Sequence, residues 1–320
     1  MKLLPRAVGS LVLLGILAWR ADYSGVLERL VGLNLRWWLA ALAAYLAAQG
    51  LSAVRWRLLA GLLGFERRLG SFMAMVLVGN FFNLLLPTSV GGDVVRGWYL
   101  GGEGRRWPAL LSVLADRLNG VLVLVALACL AALVVPLPGW VVGWVAVFGT
   151  GAAVGLGLLL LSTTRTGQPW DRLRKFADAL ALGADDRRVL TLVTLLSLVV
   201  QLLNVLLVWA VGRALGLDVP LSWCFVLMPL VTLLTLVPIS VNGMGVREAG
   251  TVVLLAPLGI SAGPAVLLSL AWFAVFLAAG LLGAAVYLLG NFSRCEVNRE
   301  DEPVRCDPGQ GRTRQRAAAA

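Results

Sequence analysis

The chain has 320 residues, of which 59% are hydrophobic and only 14% charged, whereas about 25% of the residues in an average soluble domain are charged. This composition excludes a water-soluble protein, and it excludes an intrinsically disordered one, which needs low hydrophobicity. The net charge of +10 is expected of a membrane protein whose basic loops lie beside anionic lipids in the cytoplasm. The sequence therefore predicts an integral membrane protein that binds no nucleic acid.

Metal and cofactor chemistry is not indicated. The chain has no histidine, which removes the commonest metal ligand and the commonest general base. Its four cysteines form no CxxC pair, because Cys129 and Cys224 lie in apolar runs and Cys295 and Cys306 lie in a polar tail. We expect no metal, no cofactor and no disulfide framework.

Long uncharged runs predict the spanning helices, because one span needs about 20 mostly apolar residues. The runs between charged residues are 7–19, 37–54, 69–92, 118–164, 189–212, 219–246 and 249–293. The run 118–164 is long enough for two spans, and Pro136-Leu137-Pro138-Gly139 divides it with turn residues. We interpret 1–19 as a first helix rather than a cleaved signal peptide, because Ala18-Trp19-Arg20 is a poor cleavage site.

Two amphipathic stretches and a polar tail lie outside these runs. Residues 20–36 and 166–188 place apolar side chains among charged ones at helical spacing, which predicts helices at the membrane interface. Residues 291–320 are polar and charged, and we expect them to form a disordered cytoplasmic tail.

Two decapeptides repeat one unusual pattern about half a chain apart. Pro87–Arg96 and Pro238–Arg247 agree at six of ten positions, with an offset of 151 residues. The same offset carries the run 37–54 into the run 189–212. The sequence therefore predicts one transmembrane domain made of two related halves, about 1–138 and 139–290.

The basic loops predict the topology, because positively charged loops stay in the cytoplasm. Arginines concentrate in the loops 55–68 and 162–188 and in the C-terminal tail. All three remain cytoplasmic only if 69–100 enters and leaves the membrane from the inside, and 219–258 enters and leaves from the outside. The prediction is an all-α polytopic protein with six spanning helices and two re-entrant broken-helix hairpins in an inverted repeat. Both termini are then cytoplasmic.

Each decapeptide contains residues that interrupt a helix, because proline lacks an N–H and glycine permits non-helical backbone. We expect Ser89 and Ser240 to cap the helices that follow. Irregular backbone at membrane depth is tolerated only where it is buried in protein or lines a water-filled cavity. The predicted structural helix breaks are Pro87, Gly91, Gly92, Pro238, Gly243 and Gly245.

An arginine is predicted to begin the helix after each break, Arg96 in the first half and Arg247 in the second. A helix N-terminus carries partial positive charge, so an added arginine makes an anion site. We predict that both arginines face one polar cavity and bind a lipid phosphate. The candidate substrate-binding residues are Arg96, Arg247, Asp93, Glu248, Asn83, Asn242, Ser89, Ser240 and Arg117.

A purely structural interpretation of the charged candidates stays open. A charge inside the membrane costs about 2.5–3.5 kcal/mol on insertion scales and is therefore expected to be paired. Arg96 has Asp93 three residues before it, and Arg247 has Glu248 directly after it. Simple ion pairing is thus the alternative to binding.

Other polar residues near the predicted spans also have structural interpretations. Asp116-Arg117 precedes a span and favours an interfacial anchor, and Arg55-Trp56-Arg57 favours a cytoplasmic interface belt. Hydrogen bonds between helices are the alternative role for Asn80, Asn83 and Asn242.

Two motifs resemble signatures of the lysylphosphatidylglycerol synthase transmembrane (flippase-like) family. The first is Gly79-Asn80-Phe81-Phe82-Asn83 leading to Pro87 and on to Arg96, and the second is Pro238–Glu248. The resemblance extends over about residues 5–290, with Arg55-Trp56 and Asp116-Arg117 also at positions typical of the family. It implies an inner-membrane protein linked to lipid translocation. Because only about 30 residues follow the last predicted span, we expect a stand-alone member without the soluble synthase domain.

The most direct functional expectation is translocation of an anionic or lipid-linked phospholipid across the bilayer, with no enzymatic activity. The expected partners are membrane lipids, either anionic phospholipids or polyprenyl-linked lipids, and a homodimer or a biosynthetic enzyme partner stays open. The alternatives are a membrane partner or enzyme of a lipid-linked biosynthetic pathway, and a secondary solute transporter. An enzyme would require a convergent acid–base pair.

Overall fold

The computed structural model describes residues 15, 26–86, 91–102, 104–164, 187–236, 240 and 242–289. Over these residues the fold is helical, with no strand. The described helices are α1 (Val26–Val31), α2 (Leu35–Leu62), α3 (Leu69–Leu85), α4 (Gly91–Gly101), α5 (Arg106–Val134), α6 (Gly139–Thr164), α7 (Arg187–Ala214), α8 (Leu221–Leu236), α9 (Val246–Leu255) and α10 (Ala262–Leu289), with a short 3₁₀ turn at Ala256–Leu258. An all-α membrane protein is confirmed.

Five of the described helices, α2, α5, α6, α7 and α10, are long and apolar enough to cross a membrane. The predicted run 118–164 is divided between α5 and α6 by the proline-containing turn at residues 135–138. The predicted first span, 7–19, lies outside the described residues, as do the motif residues Pro87 and Pro238.

Four shorter helices form two consecutive pairs, α3 with α4 and α8 with α9. Their 10 to 17 residues correspond to lengths of about 15–26 Å at 1.5 Å per residue. A hydrocarbon core is about 30 Å thick, so each helix alone is too short to cross it. The helices of each pair pack against each other.

The order and lengths of the helices repeat in the two halves of the chain. Helices α2, α3, α4 and α5 have 28, 17, 11 and 29 residues, and α7, α8, α9 and α10 have 28, 16, 10 and 28. The packing is reciprocal: α2 packs on α7, α3 packs on α10, and α8 packs on α5. A two-fold relation between the halves would produce such an exchange of partners, and that relation stays a prediction.

Glycines hold α3 against its neighbours at backbone distance. A Cβ on Gly92 of α4 would overlap the carbonyl oxygen of Gly79 in α3, and a Cβ on Gly283 of α10 would overlap that of Leu77. Small residues allow such close approach between membrane helices, where packing rather than the hydrophobic effect drives association. The glycines therefore fix the position of the α3–α4 pair relative to α10.

The amphipathic stretch 20–36 is not one interfacial helix in its described part. Helix α1 has only six residues, and the chain turns before Asn34, whose side chain caps α2 by accepting a hydrogen bond from the Arg36 N–H at 3.1 Å. Leu27 and Val31 are 71% and 81% exposed, as expected for contact with lipid. The second predicted interfacial stretch, 166–188, and the tail lie almost entirely outside the described residues.

Candidate functional site

A cavity of about 310 Å³ lies between the two halves of the fold. Helices α2, α3, α4 and α5 contribute lining residues from the first half. Helices α7, α8, α9 and α10 contribute from the second half, together with Asn242 in the segment before α9. Its charged lining residues are four arginines and two aspartates, with a net charge of +2: Arg55, Arg96, Arg117, Arg247, Asp93 and Asp116.

Five of these residues form one continuous chain of ion pairs. Arg55 Nε lies 2.7 Å from Asp116 Oδ1, and Arg96 Nη2 lies 3.1 Å from Asp116 Oδ2. Arg96 Nε is 3.1 Å from Asp93 Oδ1, and Arg117 Nε is 2.5 Å from Asp93 Oδ2. The chain alternates cation and anion across α2, α5 and α4, so every carboxylate oxygen in it faces an arginine.

Arg96 is the central residue of this chain of ion pairs, and only some of its N–H groups have hydrogen-bond acceptors. Its guanidinium lies 4.9 Å from the centre of the Trp56 ring, within cation–π range. Although Arg96 Nε is close to Asp93, the geometry is not that of a hydrogen bond, and the buried N–H has no acceptor among the described residues. An unsatisfied buried donor is costly, so this N–H has the capacity to donate to an acceptor that the described residues do not supply.

Arg247 lines the cavity from the second half of the fold and makes no direct ion pair with a described residue. It is 7% exposed, and within the described ranges no carboxylate oxygen lies within 4.0 Å of its guanidinium nitrogens. The rings of Phe273 and Phe276 lie 5.0 and 5.4 Å from its guanidinium carbon. Its one hydrogen bond to a described residue runs from Nη2 to the carbonyl oxygen of Asn242, at 3.4 Å.

Glu248 does not pair with Arg247 and does not line the cavity. Its Oε2 accepts a hydrogen bond from the Gly245 N–H at 2.6 Å, and its Oε1 accepts one from the Ser269 hydroxyl at 3.0 Å. The carboxylate thus closes the N-terminus of α9 in the manner of a capping box. Within the described residues Glu248 therefore makes no direct ion pair with Arg247, although it is close enough to stabilise the guanidinium electrostatically.

The second hairpin breaks where the sequence predicts, through left-handed backbone. Asn242, Gly243 and Gly245 have φ of 51°, 75° and 85°, a region that glycine, and to a lesser extent asparagine, adopts readily. Ser240 does not cap α9: its buried hydroxyl has no hydrogen-bond partner in the part of the chain that is described, because Gly245 occupies the cap position.

The first hairpin differs from the prediction in its details. Helix α4 already begins at Gly91, so Gly91 and Gly92 start the helix rather than interrupt it, and Arg96 lies in its second turn. The Gly92 N–H donates to Asn83 Oδ1 at 2.8 Å, so Asn83 satisfies one of the free amides at this N-terminus. Ser89 lies outside the described residues.

Arg55 and Asp116 are the site residues that sequence reasoning missed. They were expected in an interface belt and an interfacial anchor, but they are 5% and 2% exposed. Arg55 also donates to the Ser197 hydroxyl at 2.8 Å, which ties α2 to α7. The sequence did contain a signal, because Arg55 directly follows the apolar run 37–54 and Asp116 lies just before the run 118–164. Helices α2 and α5 continue through these two residues, which places them inside a helix rather than at its end.

Neutral hydrogen-bonding groups complete the lining. Asn80 Nδ2 donates to Gln49 Oε1 at 3.0 Å, so Asn80 has the interhelical role considered from the sequence. Gln201 Nε2 donates to the carbonyl oxygen of Gly120 at 3.0 Å. The uncharged polar lining residues are Tyr45, Gln49, Ser52, Asn80, Asn83, Gln201, Asn204, Thr232, Thr235 and Asn242.

The arrangement is suited to binding an anion rather than a metal cation. Over the described residues, no three His, Cys, Asp or Glu side chains lie together as a metal site would require. Both cavity aspartates already face arginines, whereas Arg247 offers an unpaired guanidinium.

Comparison with protein families gives one match: the family model of the lysylphosphatidylglycerol synthase TM region matches residues 6–283. No curated protein and no solved structure matches the chain. The matched residues include both hairpins and every charged residue of the cavity.

Proposed function

The chain belongs to the lysylphosphatidylglycerol synthase transmembrane family, and from that premise we propose that it translocates an anionic phospholipid or a lipid-linked phosphate across the inner membrane. One observation carries the proposal: a polar cavity with a net charge of +2 lies between the two halves of an otherwise apolar protein. A buried excess of positive charge at membrane depth is costly. An anionic headgroup in the cavity would offset that cost.

Arginine is the side chain best suited to hold a phosphodiester. Its planar guanidinium can donate two parallel hydrogen bonds to phosphate oxygens, and it is more weakly hydrated than an ammonium group. One unit of opposite charge at about 4 Å contributes roughly 4 kcal/mol at the effective dielectric constant of a protein. The described contacts leave donors available on Arg247, at the unsatisfied N–H of Arg96, and on the half-exposed Arg117, which is bonded only through Nε.

We propose that the pairs α3–α4 and α8–α9 are re-entrant hairpins that enter from opposite sides. This topology keeps the basic loops, the N-terminus and the C-terminus in the cytoplasm, and it makes six spans if residues 7–19 form the first. Broken helices that meet near the midplane at the interface of inverted repeats are typical of transporters. Exposure of the cavity first to one side and then to the other would let a headgroup cross while its acyl chains stay in the lipid.

We propose transport rather than catalysis. An acid–base mechanism needs a carboxyl group that is free to exchange a proton with substrate, but Asp93 and Asp116 are each held by two arginines. A secondary transporter of a small organic anion is the second candidate, because a cavity of about 310 Å³ is within the range of small-molecule sites.

Reconstitution into liposomes separates these candidates. Acyl-labelled phosphatidylglycerol, an aminoacylated lipid and a polyprenyl phosphate would be followed across the bilayer, with uptake of soluble organic phosphates measured in parallel. Protein-dependent movement of an anionic lipid supports the proposal. Uptake of a soluble anion without lipid movement would favour the solute transporter.

A further inference from the structure

The two halves of the cavity differ in charge although their helices repeat. In the first half, three arginines share two aspartates, and all four carboxylate oxygens face a guanidinium. In the second half, Arg247 has no carboxylate partner among the described residues, because Glu248 is engaged by Gly245 and Ser269. The cavity therefore presents a half-exposed Arg117 that pairs with Asp93, an Arg247 without a carboxylate partner among the described residues, and no exposed carboxylate.

We infer that the headgroup bound in this cavity is an anionic phosphate ester that carries no ammonium group, and that its phosphate docks on Arg247. This inference rests on the proposed function and deepens it by naming the headgroup class. Phosphatidylglycerol and polyprenyl phosphates belong to that class. Phosphatidylethanolamine and aminoacylated phosphatidylglycerol do not.

The surroundings of Arg247 orient it for one bidentate contact. Phe273 and Phe276 lie within cation–π range of the guanidinium, and such ring contacts stabilise the cation without using its N–H groups. Only Nη2 is engaged with a described residue, in a long contact of 3.4 Å to the Asn242 carbonyl. The remaining N–H groups have no acceptor among the described residues, and in the proposed complex they donate to phosphate oxygens.

The rest of the lining is suited to hydroxyl groups rather than to a second charge. Amide and hydroxyl side chains both donate and accept hydrogen bonds, and the cavity carries ten of them. An ammonium group would find no free carboxylate here and would enter a space of net positive charge. Discrimination of this kind, by repulsion and an unpaired buried charge, is a general route to specificity.

Matched lipids test the inference. Phosphatidylglycerol, phosphatidylethanolamine and lysylphosphatidylglycerol with the same labelled acyl chain would be compared in proteoliposomes, with a polyprenyl phosphate as the second anionic source. We expect phosphatidylglycerol to move at least tenfold faster than the two ammonium-bearing lipids. The rate of the polyprenyl phosphate relative to phosphatidylglycerol then shows which of these two anionic lipids is the better substrate. Equal rates for phosphatidylethanolamine and phosphatidylglycerol would overturn the inference while leaving lipid translocation intact.

A charge-only substitution reverses the preference if the inference is correct. Asn242 lines the cavity beside Arg247, and aspartate tolerates the left-handed backbone found there. Asn242→Asp should slow phosphatidylglycerol at least tenfold and raise the phosphatidylethanolamine rate. Asn34→Asp makes the same chemical change outside the cavity, at the cap of α2, where aspartate caps a helix about as well as asparagine. It serves as the matched control and should retain the preference. An unchanged preference in Asn242→Asp would contradict docking at Arg247.

Binding of soluble headgroups keeps the inference testable apart from transport. Glycerol 3-phosphate and phosphoethanolamine would be titrated against the detergent-purified full chain, with thermal stabilisation as the readout. Stabilisation by glycerol 3-phosphate at concentrations at least tenfold lower than those needed for phosphoethanolamine supports the headgroup class. If no lipid moves in the transport assay, this result still stands and only the proposed function fails. Equal stabilisation by both compounds, or by neither, would overturn the inference.

Discussion

Glu248 follows Arg247 directly in the sequence, yet its carboxylate binds the Gly245 N–H and the Ser269 hydroxyl instead of the neighbouring guanidinium. Consecutive residues on a helix do not face each other, so adjacency in sequence does not produce an ion pair here. The consequence is that Arg247 keeps its charge for the cavity. The capping role of Glu248 also means that removing Arg247 does not leave that carboxylate unpaired.

The ion-pair chain predicts a large stability loss at Asp116, the more buried of its two anions. Asp116→Asn would leave Arg55 and Arg96 buried without that partner, and breaking a buried pair costs about 3–5 kcal/mol. Thermal unfolding of the purified protein in detergent should therefore show a clear fall in Tm. Asp218→Asn is the matched control, because Asp218 is exposed and makes only a surface pair with Arg213, worth about 0–1 kcal/mol. Equal Tm values for the two variants would contradict a buried chain.

The close contact between α3 and α4 predicts that Gly92 cannot gain a side chain. A Cβ there would overlap the Gly79 carbonyl and the Asn83 side chain, and overpacking of this kind costs about 1–3 kcal/mol or more. Gly92→Ala should lower Tm and reduce lipid movement together. Gly155→Ala is the control in α6, where a Cβ meets no atom within 4 Å and alanine is the better helix former. If Gly92→Ala behaved like Gly155→Ala, the hairpin would be packed less closely than described.

The proposed topology places two exposed turns on opposite sides of the membrane. In a background without native cysteines, Glu66→Cys between α2 and α3 should be labelled only from the cytoplasm. Pro136→Cys between α5 and α6 should react with an impermeant reagent outside intact cells. Both positions are exposed, so reactivity reports sidedness. Labelling of Glu66→Cys from outside would exclude the arrangement in which the basic loops are cytoplasmic.

Much of the fold could be predicted because membrane helices leave a strong local signal. Uncharged runs locate α2, α5, α6, α7 and α10, and the repeated decapeptides locate the breaks near Gly91 and Gly243. The structure also brings Arg96 and Arg247 to one cavity, although their role stays a prediction. The left-handed residues Asn242, Gly243 and Gly245 follow from local chemistry alone.

The partners of the charged residues could not be predicted in the same way. Arg55 and Asp116 lie 61 residues apart in the chain, and a charged residue at the end of an apolar run fits a membrane interface as well as a buried ion pair. Only the packing of α2 on α5 and α7 decides between these roles. Glu248 is a different case, because a glutamate three residues after Gly245 is the sequence pattern of a capping box and could have been recognised.

The most direct test of the central claim is the lipid transport rate per folded molecule of Arg96→Lys and Arg247→Lys, measured in proteoliposomes with phosphatidylglycerol. Lysine keeps the charge but loses the planar pair of donors that holds a phosphate. Arg213→Lys, outside the cavity, serves as the control. The account predicts rates at least tenfold below wild type for Arg247→Lys, a smaller loss for Arg96→Lys, and no change for Arg213→Lys. Wild-type rates for both cavity variants would contradict an anion site formed by these arginines.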